Sequence, residues 1–340
     1  MSFPNRFTNV CLFLFLTGVL TGSALAQYNH PPEPAPAPGA PTLNADLVKT
    51  GLYIFSGGGG NSLLRLSANG FILVNAGLPS ERDVLLRKVK RISNQPIRAL
   101  ILTDNNLSHA GAVEKFVESG TRIVAQQNAA AKLATLTIPE LTAPRLIAYD
   151  HDYALRLGGV EVQLLHFGNA HTDGDTVVYF PNLKVVAAGA LIGVDANPDF
   201  SSGGSLLGWH AALTQMLKLD FDVAVPGKGP VQERADVEAL KAQLDSLVTR
   251  PSRLATKGMT KDQFVSQLRK DDSGLKLSES QLISFYNELA SIEQDRSTTR
   301  PSVAFHRSEF LLWPTEHKFS GKSRSFTTGQ TFVEWKKGSI

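Results

Sequence analysis

Residues 103–111 read Thr-Asp-Asn-Asn-Leu-Ser-His-Ala-Gly and follow an apolar run that begins at Ile97. The run predicts a buried strand over 97–103, and six of the nine loop residues carry polar side chains. In layered α/β proteins, loops at strand ends carry binding and catalytic groups on a rigid scaffold. We therefore predict that this loop lies at the functional site.

Strand-like and helical patterns alternate on both sides of this loop, from about residue 46 to residue 235. Strands are predicted at 53–55, 63–66, 71–74, 97–103, 122–125, 160–165, 176–180, 184–188 and 222–225. Helical spacing of apolar residues occurs at 84–92, 112–119, 128–135 and 209–217. Such alternation favours helices packed on the faces of sheets, with the strand-end loops opening onto one cavity.

Four motifs, each at a predicted strand end, occur in an order that resembles the metallo-β-lactamase superfamily. They are Gly58-Gly59-Gly60-Asn61-Ser62 with Val74-Asn75-Ala76-Gly77, the loop 103–111, Gly168-Asn169-Ala170-His171-Thr172-Asp173-Gly174-Asp175, and Ala188-Gly189-Ala190 with Pro226-Gly227-Lys228-Gly229. The resemblance covers about residues 50 to 235. It implies an α/β fold, an αββα metallo-β-lactamase-like sandwich with an appended C-terminal helical segment.

The same resemblance implies where two zinc ions would bind in an active member. In that family the loop has the sequence pattern Thr-His-x-His-x-Asp-His-x-Gly. The seven metal-ligand positions of the family form what we call the degenerate pocket of this chain, because most of them hold other residues. The first metal would use the positions of Asp104, Asn106 and His171, the second those of Ser108, His109 and Lys228, and Ala190 stands at the bridging position. Only at His109 and His171 is the family's metal-ligating residue retained, and these two histidines would bind different metal ions.

The replaced residues are poor zinc ligands. A catalytic zinc keeps about three N, S or O ligands from protein. Ser108 offers a neutral hydroxyl, the nitrogen of Lys228 is normally protonated, and Ala190 cannot bridge two metals. We therefore do not predict a dinuclear zinc cofactor. If one zinc binds, its expected ligands are Asp104, His109 and His171.

Lys228 brings a positive charge to a pocket that gains a carboxylate at Asp104. One hypothesis is that these two side chains pair directly or through water, which would satisfy both without metal. The alternative is that the ligands drifted after activity was lost, with no pairing.

Other polar residues have simpler interpretations. Asp150-His151-Asp152 is expected to form a solvated turn before a strand, and His166 to be hydrogen-bonded in the fold. Asp175 is expected to hold its own loop through backbone hydrogen bonds. His210 lies in a predicted helix beside Trp209 and could line the cavity.

The two ends of the chain differ from its centre in composition. Residues 1–26 match a cleaved signal peptide, with Arg6, an apolar run and Ala24-Leu25-Ala26. The competing interpretation, an uncleaved anchor, would need an apolar run of about 20 residues. The remaining segments are a Pro-rich linker at 27–45, a metallo-β-lactamase-like domain at 46–235, a C-terminal helical segment at 236–296 and a basic tail at 297–340.

The helical segment contains two helix-start patterns. Thr260 with Gln263, and Ser278 with Gln281, match the spacing of a capping box. An apolar stripe that follows is expected to pack in the core, and its members are Leu282, Phe285, Tyr286 and Leu289.

The composition limits location and partners. Cys11 is the one cysteine and lies within the signal peptide, so the mature chain is expected to have no disulfide. We expect export to a bacterial periplasm or secretion. No stable membrane anchor is expected after cleavage of the signal peptide. The net charge is +3, but residues 297–340 hold seven Lys or Arg against three Asp or Glu. Because the folded body is close to neutral, nucleic acid is not expected as a partner. The expected partner is a small-molecule ligand that the sequence does not identify.

Three functions remain open at this stage. The first is an exported protein that has lost dinuclear zinc hydrolysis and acts in binding or regulation. The second is an atypical hydrolase with one metal, and the third is a metal-independent enzyme that uses Asp104, His109 and Lys228 as acid–base groups. Lactams, lactones, thioesters and related esters are the substrate classes that the family resemblance implies for such a hydrolase.

Overall fold

The computed structural model describes residues 41–135, 138, 145–194, 196–255, 258–270 and 277–298. The expected signal peptide, residues 27–40 of the linker and the tail beyond residue 298 lie outside the described residues. Among the residues described, no helix is both long enough and apolar enough to cross a membrane.

The first sheet has seven strands in sequence order. They are β1 (Leu43–Lys49), β2 (Leu52–Gly57), β3 (Asn61–Ser67), β4 (Gly70–Val74), β5 (Ile97–Ile101), β6 (Arg122–Gln126) and β7 (Leu146–Tyr149). Strands β1 to β4 form an antiparallel meander, whereas β4 to β7 pair in parallel. The parallel half therefore places the carboxyl ends of β4, β5 and β6 at one edge.

The second sheet has six strands in the order β13-β12-β11-β10-β9-β8. They are β8 (Asp152–Leu157), β9 (Val160–Leu165), β10 (Val177–Phe180), β11 (Val185–Ala187), β12 (Val223–Val225) and β13 (Gln232–Glu233). Only the β11–β12 pair in this sheet is parallel, and the chain passes through a helix between these two strands, as a parallel connection requires.

Helices cover the outer face of each sheet. In chain order they are α1 (Arg82–Ile92), α2 (Leu107–Ala110), α3 (Val113–Glu118), α4 (Gln127–Leu133), α5 (Leu206–Met216), α6 (Arg234–Ala255), α7 (Lys261–Leu268) and α8 (Glu279–Thr298).

Strand β4 shows how sequence alternation builds the layers. Successive side chains point to opposite faces of a strand. Ile72 and Val74 belong to the core between the sheets, whereas Phe71 and Leu73 belong to the core shared with α1, α3 and α4. Because every residue of this strand is buried, the strand lies in a sheet covered on both sides. The second sheet packs in the same way against α5 to α8, so the expected αββα sandwich with added C-terminal helices is confirmed.

Several strands differ from the sequence interpretation. β1 begins at Leu43, three residues inside the segment interpreted as linker, and it pairs with β2. Strands β7, β8 and β13 were not predicted. Of β7 only Tyr149 is buried, β13 has two residues, and β8 begins at Asp152, which was assigned to a turn. The strand expected over 97–103 ends at Ile101, so Thr103 and the polar loop follow it directly.

The C-terminal helices follow the predicted caps. Thr260 with Gln263 forms a capping box at α7, and Ser278 with Gln281 exchanges the same two hydrogen bonds at α8. Of the apolar stripe on α8, Leu282, Phe285 and Leu289 are buried in the core against α5 to α7, as expected.

Candidate functional site

The seven residues of the degenerate pocket lie at the ends of four strands. Asp104, Asn106, Ser108 and His109 follow β5, His171 precedes β10, Ala190 follows β11, and Lys228 follows β12. Thr176 of the second sheet donates its N–H to the Thr103 carbonyl at 2.7 Å, which joins the two edges at this point. The structure thus brings together residues from distant parts of the sequence.

Asn75, at the end of β4, anchors the start of the polar loop. Its Oδ1 accepts hydrogen bonds from the backbone N–H and from the hydroxyl of Thr103, both at 3.0 Å. Asn75 has a φ of 62°, a left-handed conformation that asparagine tolerates better than most residues. The neutral amide thus has a structural role at a position where the family usually has aspartate.

Asp104 and His109 form a buried pair at the centre of the pocket. His109 Nδ1 lies 2.7 Å from Asp104 Oδ2, and the two residues are 3% and 0% exposed. The other carboxylate oxygen of Asp104 accepts from the Asn106 N–H at 2.8 Å. The Nε2 side of the ring faces the backbone of Gly227, which also raises the pKa of His109. A carboxylate within hydrogen-bonding distance of Nδ1 favours the imidazolium over the neutral ring.

The electrostatics of the pair favour both charged forms. Burial lowers the pKa of His109, but the charge and hydrogen bond of Asp104 outweigh it, so the pKa lies above its ordinary value. Burial likewise raises the pKa of Asp104, and the charge and hydrogen bond of His109 with the Asn106 N–H bring it below its ordinary value. Each group is therefore held in its charged state by the other.

Asn106 and His171 form the second contact of the pocket. Asn106 Nδ2 lies 3.0 Å from His171 Nε2, and His171 Nδ1 is hydrogen-bonded to the carbonyl of Asn197. A carbonyl can only accept, so Nδ1 carries the proton and Nε2 accepts from the Asn106 amide. Both ring nitrogens of His171 therefore have protein partners.

Ser108, Ala190 and Lys228 complete the pocket but bind neither Asp104 nor His171 among the described contacts. Lys228 is exposed, whereas the oxygens of Asp104 contact His109, Asn106 and Thr103. Among the described contacts, the Asp104 carboxylate therefore pairs with His109, five residues along the same loop.

Asp175 holds the His171 loop, as its position predicted. It accepts from the Thr172 N–H at 2.8 Å and from the Thr172 hydroxyl at 2.7 Å. Burial, with the nearby charge of Asp104, raises the pKa of Asp175 to about 7.

The remaining polar candidates lie outside the pocket contacts. Asp150 and His151 form an exposed pair between β7 and β8, and His166 Nδ1 is hydrogen-bonded to the Asp175 carbonyl at 2.8 Å. His210 of α5 lies 2.6 Å from Asp245 of α6. This contact joins two helices and involves no pocket residue.

Two supporting residues were not predicted from the sequence. Glu81 is a buried carboxylate that accepts from the Gly59 N–H at 2.8 Å, and so fixes the glycine-rich loop beside the pocket. Gln281 of α8 hydrogen-bonds Asn197 and thereby reaches the loop that binds His171. The capping-box spacing revealed Gln281, but only as the start of a helix.

The donor set does not fit a dinuclear zinc centre. Within the described residues, no group of three His, Cys, Asp or Glu side chains is arranged to hold a metal ion. Asp104 and His109 are engaged with each other, and both nitrogens of His171 are occupied by Asn106 and Asn197. A metal at either position would have to displace these hydrogen bonds.

Comparison with known sequences places the fold in a family. Residues 56–228 match the profile of the metallo-beta-lactamase superfamily. The chain is 28% identical over 150 residues to the 2,4-dinitroanisole O-demethylase subunit alpha of Nocardioides sp. (strain JS1661), covering 43% of this chain and 44% of that protein. It is 25% identical over 195 residues to the metallo-beta-lactamase type 2 of Bacillus cereus, covering 55% and 74%. The match thus spans under half of the demethylase subunit.

Solved structures share the same architecture. A metallo-beta-lactamase from Pontibacter korlensis superposes with a TM-score of 0.54 at 20% identity, over 60% of this chain and 99% of that one. A stereoselective inverting sec-alkylsulfatase from Pseudomonas sp. superposes with a TM-score of 0.56 at 14% identity, over 76% and 52%. At these identities the likeness concerns the fold.

Proposed function

The chain belongs to the metallo-β-lactamase superfamily, and from this premise we propose that it is an exported member that has lost dinuclear zinc hydrolysis. It acts instead by binding a small molecule in the pocket between the strand ends, in a binding or regulatory role. The fold itself is hydrolase-like, but a fold hosts many functions, so the argument rests on the site.

One observation carries the proposal: the buried Asp104–His109 pair. Asp104 Oδ2 and His109 Nδ1 lie 2.7 Å apart where the family would place metal ligands, and Asp104 raises the pKa of His109, which favours an imidazolium beside the carboxylate. Zinc binding requires a deprotonated histidine, so a metal would have to compete with the proton that this pair retains. The charge balance of the pocket is thus met by a proton within the protein.

The direct test is the metal content and turnover of the chain produced from Gln27 onward. After dialysis we expect far less than one zinc per chain by elemental mass spectrometry, and no turnover of a lactam, lactone and thioester panel. Stoichiometric zinc would contradict the proposal and favour a mononuclear hydrolase. Metal-free turnover that is lost in Lys228→Ala, but kept in the exposed Lys218→Ala control, would favour the acid–base enzyme instead.

A variant that rebuilds the family ligands serves as the positive control. Its five substitutions are Asp104→His, Asn106→His, Ser108→Asp, Ala190→Asp and Lys228→His. Because the scaffold is retained, this variant is expected to bind zinc under conditions in which the native chain does not. If neither protein bound zinc, the metal assay would need the B. cereus relative as its standard.

A further inference from the structure

The loop at residues 197–204 holds His171 from two directions. The carbonyl of Asn197 accepts a hydrogen bond from His171 Nδ1, and the Asp199 N–H donates to the His171 carbonyl at 2.8 Å. Gly204 packs so closely that a Cβ there would overlap the same carbonyl. The ring and the backbone of His171 therefore both depend on where this loop lies.

Helix α8 fixes that loop through one side chain. Gln281 Nε2 donates to Asn197 Oδ1 at 2.6 Å and to the Pro198 carbonyl at 3.2 Å. Beside this contact, a cavity of about 480 Å³ separates the helix from the loop, and Ser201 and Ser284 are among its lining residues. Two hydrogen bonds of Gln281 thus join α8 to Asn197 and Pro198 of this loop.

The orientation of the Gln281 amide is itself determined. Its Oε1 accepts from the Ser278 N–H at 2.9 Å, within the cap of α8. A flipped amide would set its NH2 group against that N–H and turn an acceptor toward Asn197 Oδ1. The cap therefore directs the two donors of Gln281 to the loop.

We propose that Gln281 is a positioning residue of the candidate site, which sets the orientation and tautomer of His171 through Asn197. A partner that accepts from Nδ1 leaves the lone pair on Nε2, and this lone pair faces Asn106 in the pocket. The C-terminal helical segment, which lies beyond the matched residues 56–228, is then a part of the site. This inference holds whatever the pocket binds.

The test is nitrogen-15 NMR of the His171 ring, assigned with His171→Gln. At a pH at which the ring is neutral, the native chain is expected to show one tautomer, with the proton on Nδ1. Gln281→Glu keeps the acceptor for the Ser278 N–H but removes both N–H donors to the loop. Helix α8 should therefore remain capped. The His171 ring should change from a single tautomer with the proton on Nδ1 to a mixture of two tautomers. Ser284→Ala, on the same helix and cavity wall, is the matched control and should leave the pattern unchanged.

Gln281→Ala removes the cap acceptor and the donors together and is expected to produce at least the same loss. Circular dichroism of each variant reports whether α8 remains folded. An unchanged His171 pattern in Gln281→Glu, with the helix folded, would overturn the proposal. So would an equal change in Ser284→Ala.

Discussion

At the scale of single residues, the pocket is organised by which atoms can donate and which can accept. Asp104 accepts from the backbone of Asn106 and from His109, and His171 accepts at Nε2 and donates at Nδ1. These bonds satisfy buried polar atoms that would otherwise be costly, by about 1–3 kcal/mol each. The described partners of these polar atoms are therefore groups of the protein itself.

Substitution of His109 by glutamine tests the charge of the pair. Leaving Asp104 buried without its cation should lower the free energy of unfolding by about 3–5 kcal/mol. His151→Gln, in the exposed pair with Asp150, is the matched control, and it should change stability by about 1 kcal/mol or less. Urea unfolding of both variants gives the comparison. Equal effects would show that the buried pair carries no special charge.

The pH dependence of the same unfolding experiment has a definite sign. The folded pKa of His109 lies above its ordinary 6.5, so its contribution is full below pH 6.5 and is lost as the pH rises through the folded value. The folded pKa of Asp104 lies below its ordinary 3.8, so its contribution is lost as the pH falls through that lower value. The raised pKa of Asp175 gives the native chain and the variant alike a further fall in stability up to about pH 7. Above pH 7, His109→Gln should reduce the fall, and an unchanged fall there in the variant would assign it to another group.

At the scale of elements, loops from both sheets meet so closely that only glycine fits. A Cβ on Gly227 would overlap His109 Nε2, and Gly60 has a φ of 154° beside the Gly227 carbonyl. The loop after β12 thus presses on the histidine of the loop after β5. These two close approaches explain why glycine stands at positions 60 and 227.

Gly227→Ala is expected to lower the free energy of unfolding by about 1–3 kcal/mol, because the new methyl group displaces the His109 ring. Gly58→Ala is its control, since a Cβ there would meet only Glu81 Oε1 at 4.0 Å. Urea unfolding compares the two, and the NMR signals of His109 should shift in the first alone. Equal stability of both variants would refute the close contact.

Helix α8 also caps α5, and this contact gives a prediction for the C-terminal segment. Glu288 accepts from the Leu206 N–H at 3.1 Å and from the Ser205 hydroxyl, which is itself the N-cap of α5. Glu288→Ala should cost about 1.5–3 kcal/mol, the range for hydrogen bonds to a charged group. The neighbouring exposed residue supplies the control, Asn287→Ala, which should be neutral in urea unfolding. A neutral Glu288→Ala would mean that α8 is dispensable for α5.

At the scale of the whole molecule, the sequence predicted the layers of sheets and helices more successfully than it predicted the side-chain contacts in the pocket. Strand and helix periodicity are local signals, and they indicated layered α/β packing. The αββα arrangement itself was implied by the resemblance that the order of the four motifs carries. Strand β1 was partly assigned to the linker, since Leu43 is its only buried residue. The pairing of Asp104 with His109 instead of Lys228 depends on side-chain direction, which no spacing rule specifies.

The stability of the whole molecule should not respond to zinc. A ligand that binds only the folded state raises the free energy of unfolding by about 2.7 kcal/mol at a hundred times its Kd. We expect the same Tm in the native chain with added zinc or with a chelator, and a zinc-dependent rise in the variant with five rebuilt ligands. A rise in the native chain at stoichiometric zinc would contradict the account.

The central claim is that a buried ion pair between the Asp104 carboxylate and a protonated His109 stands where the family places metal ligands. Nitrogen-15 NMR of the His109 ring at about pH 6, below its ordinary pKa, before and after addition of zinc, tests it most directly. The account predicts two protonated ring nitrogens and no change on addition of zinc. A ring nitrogen that is unprotonated at the start, or that loses its proton and shifts when zinc is added, would contradict it.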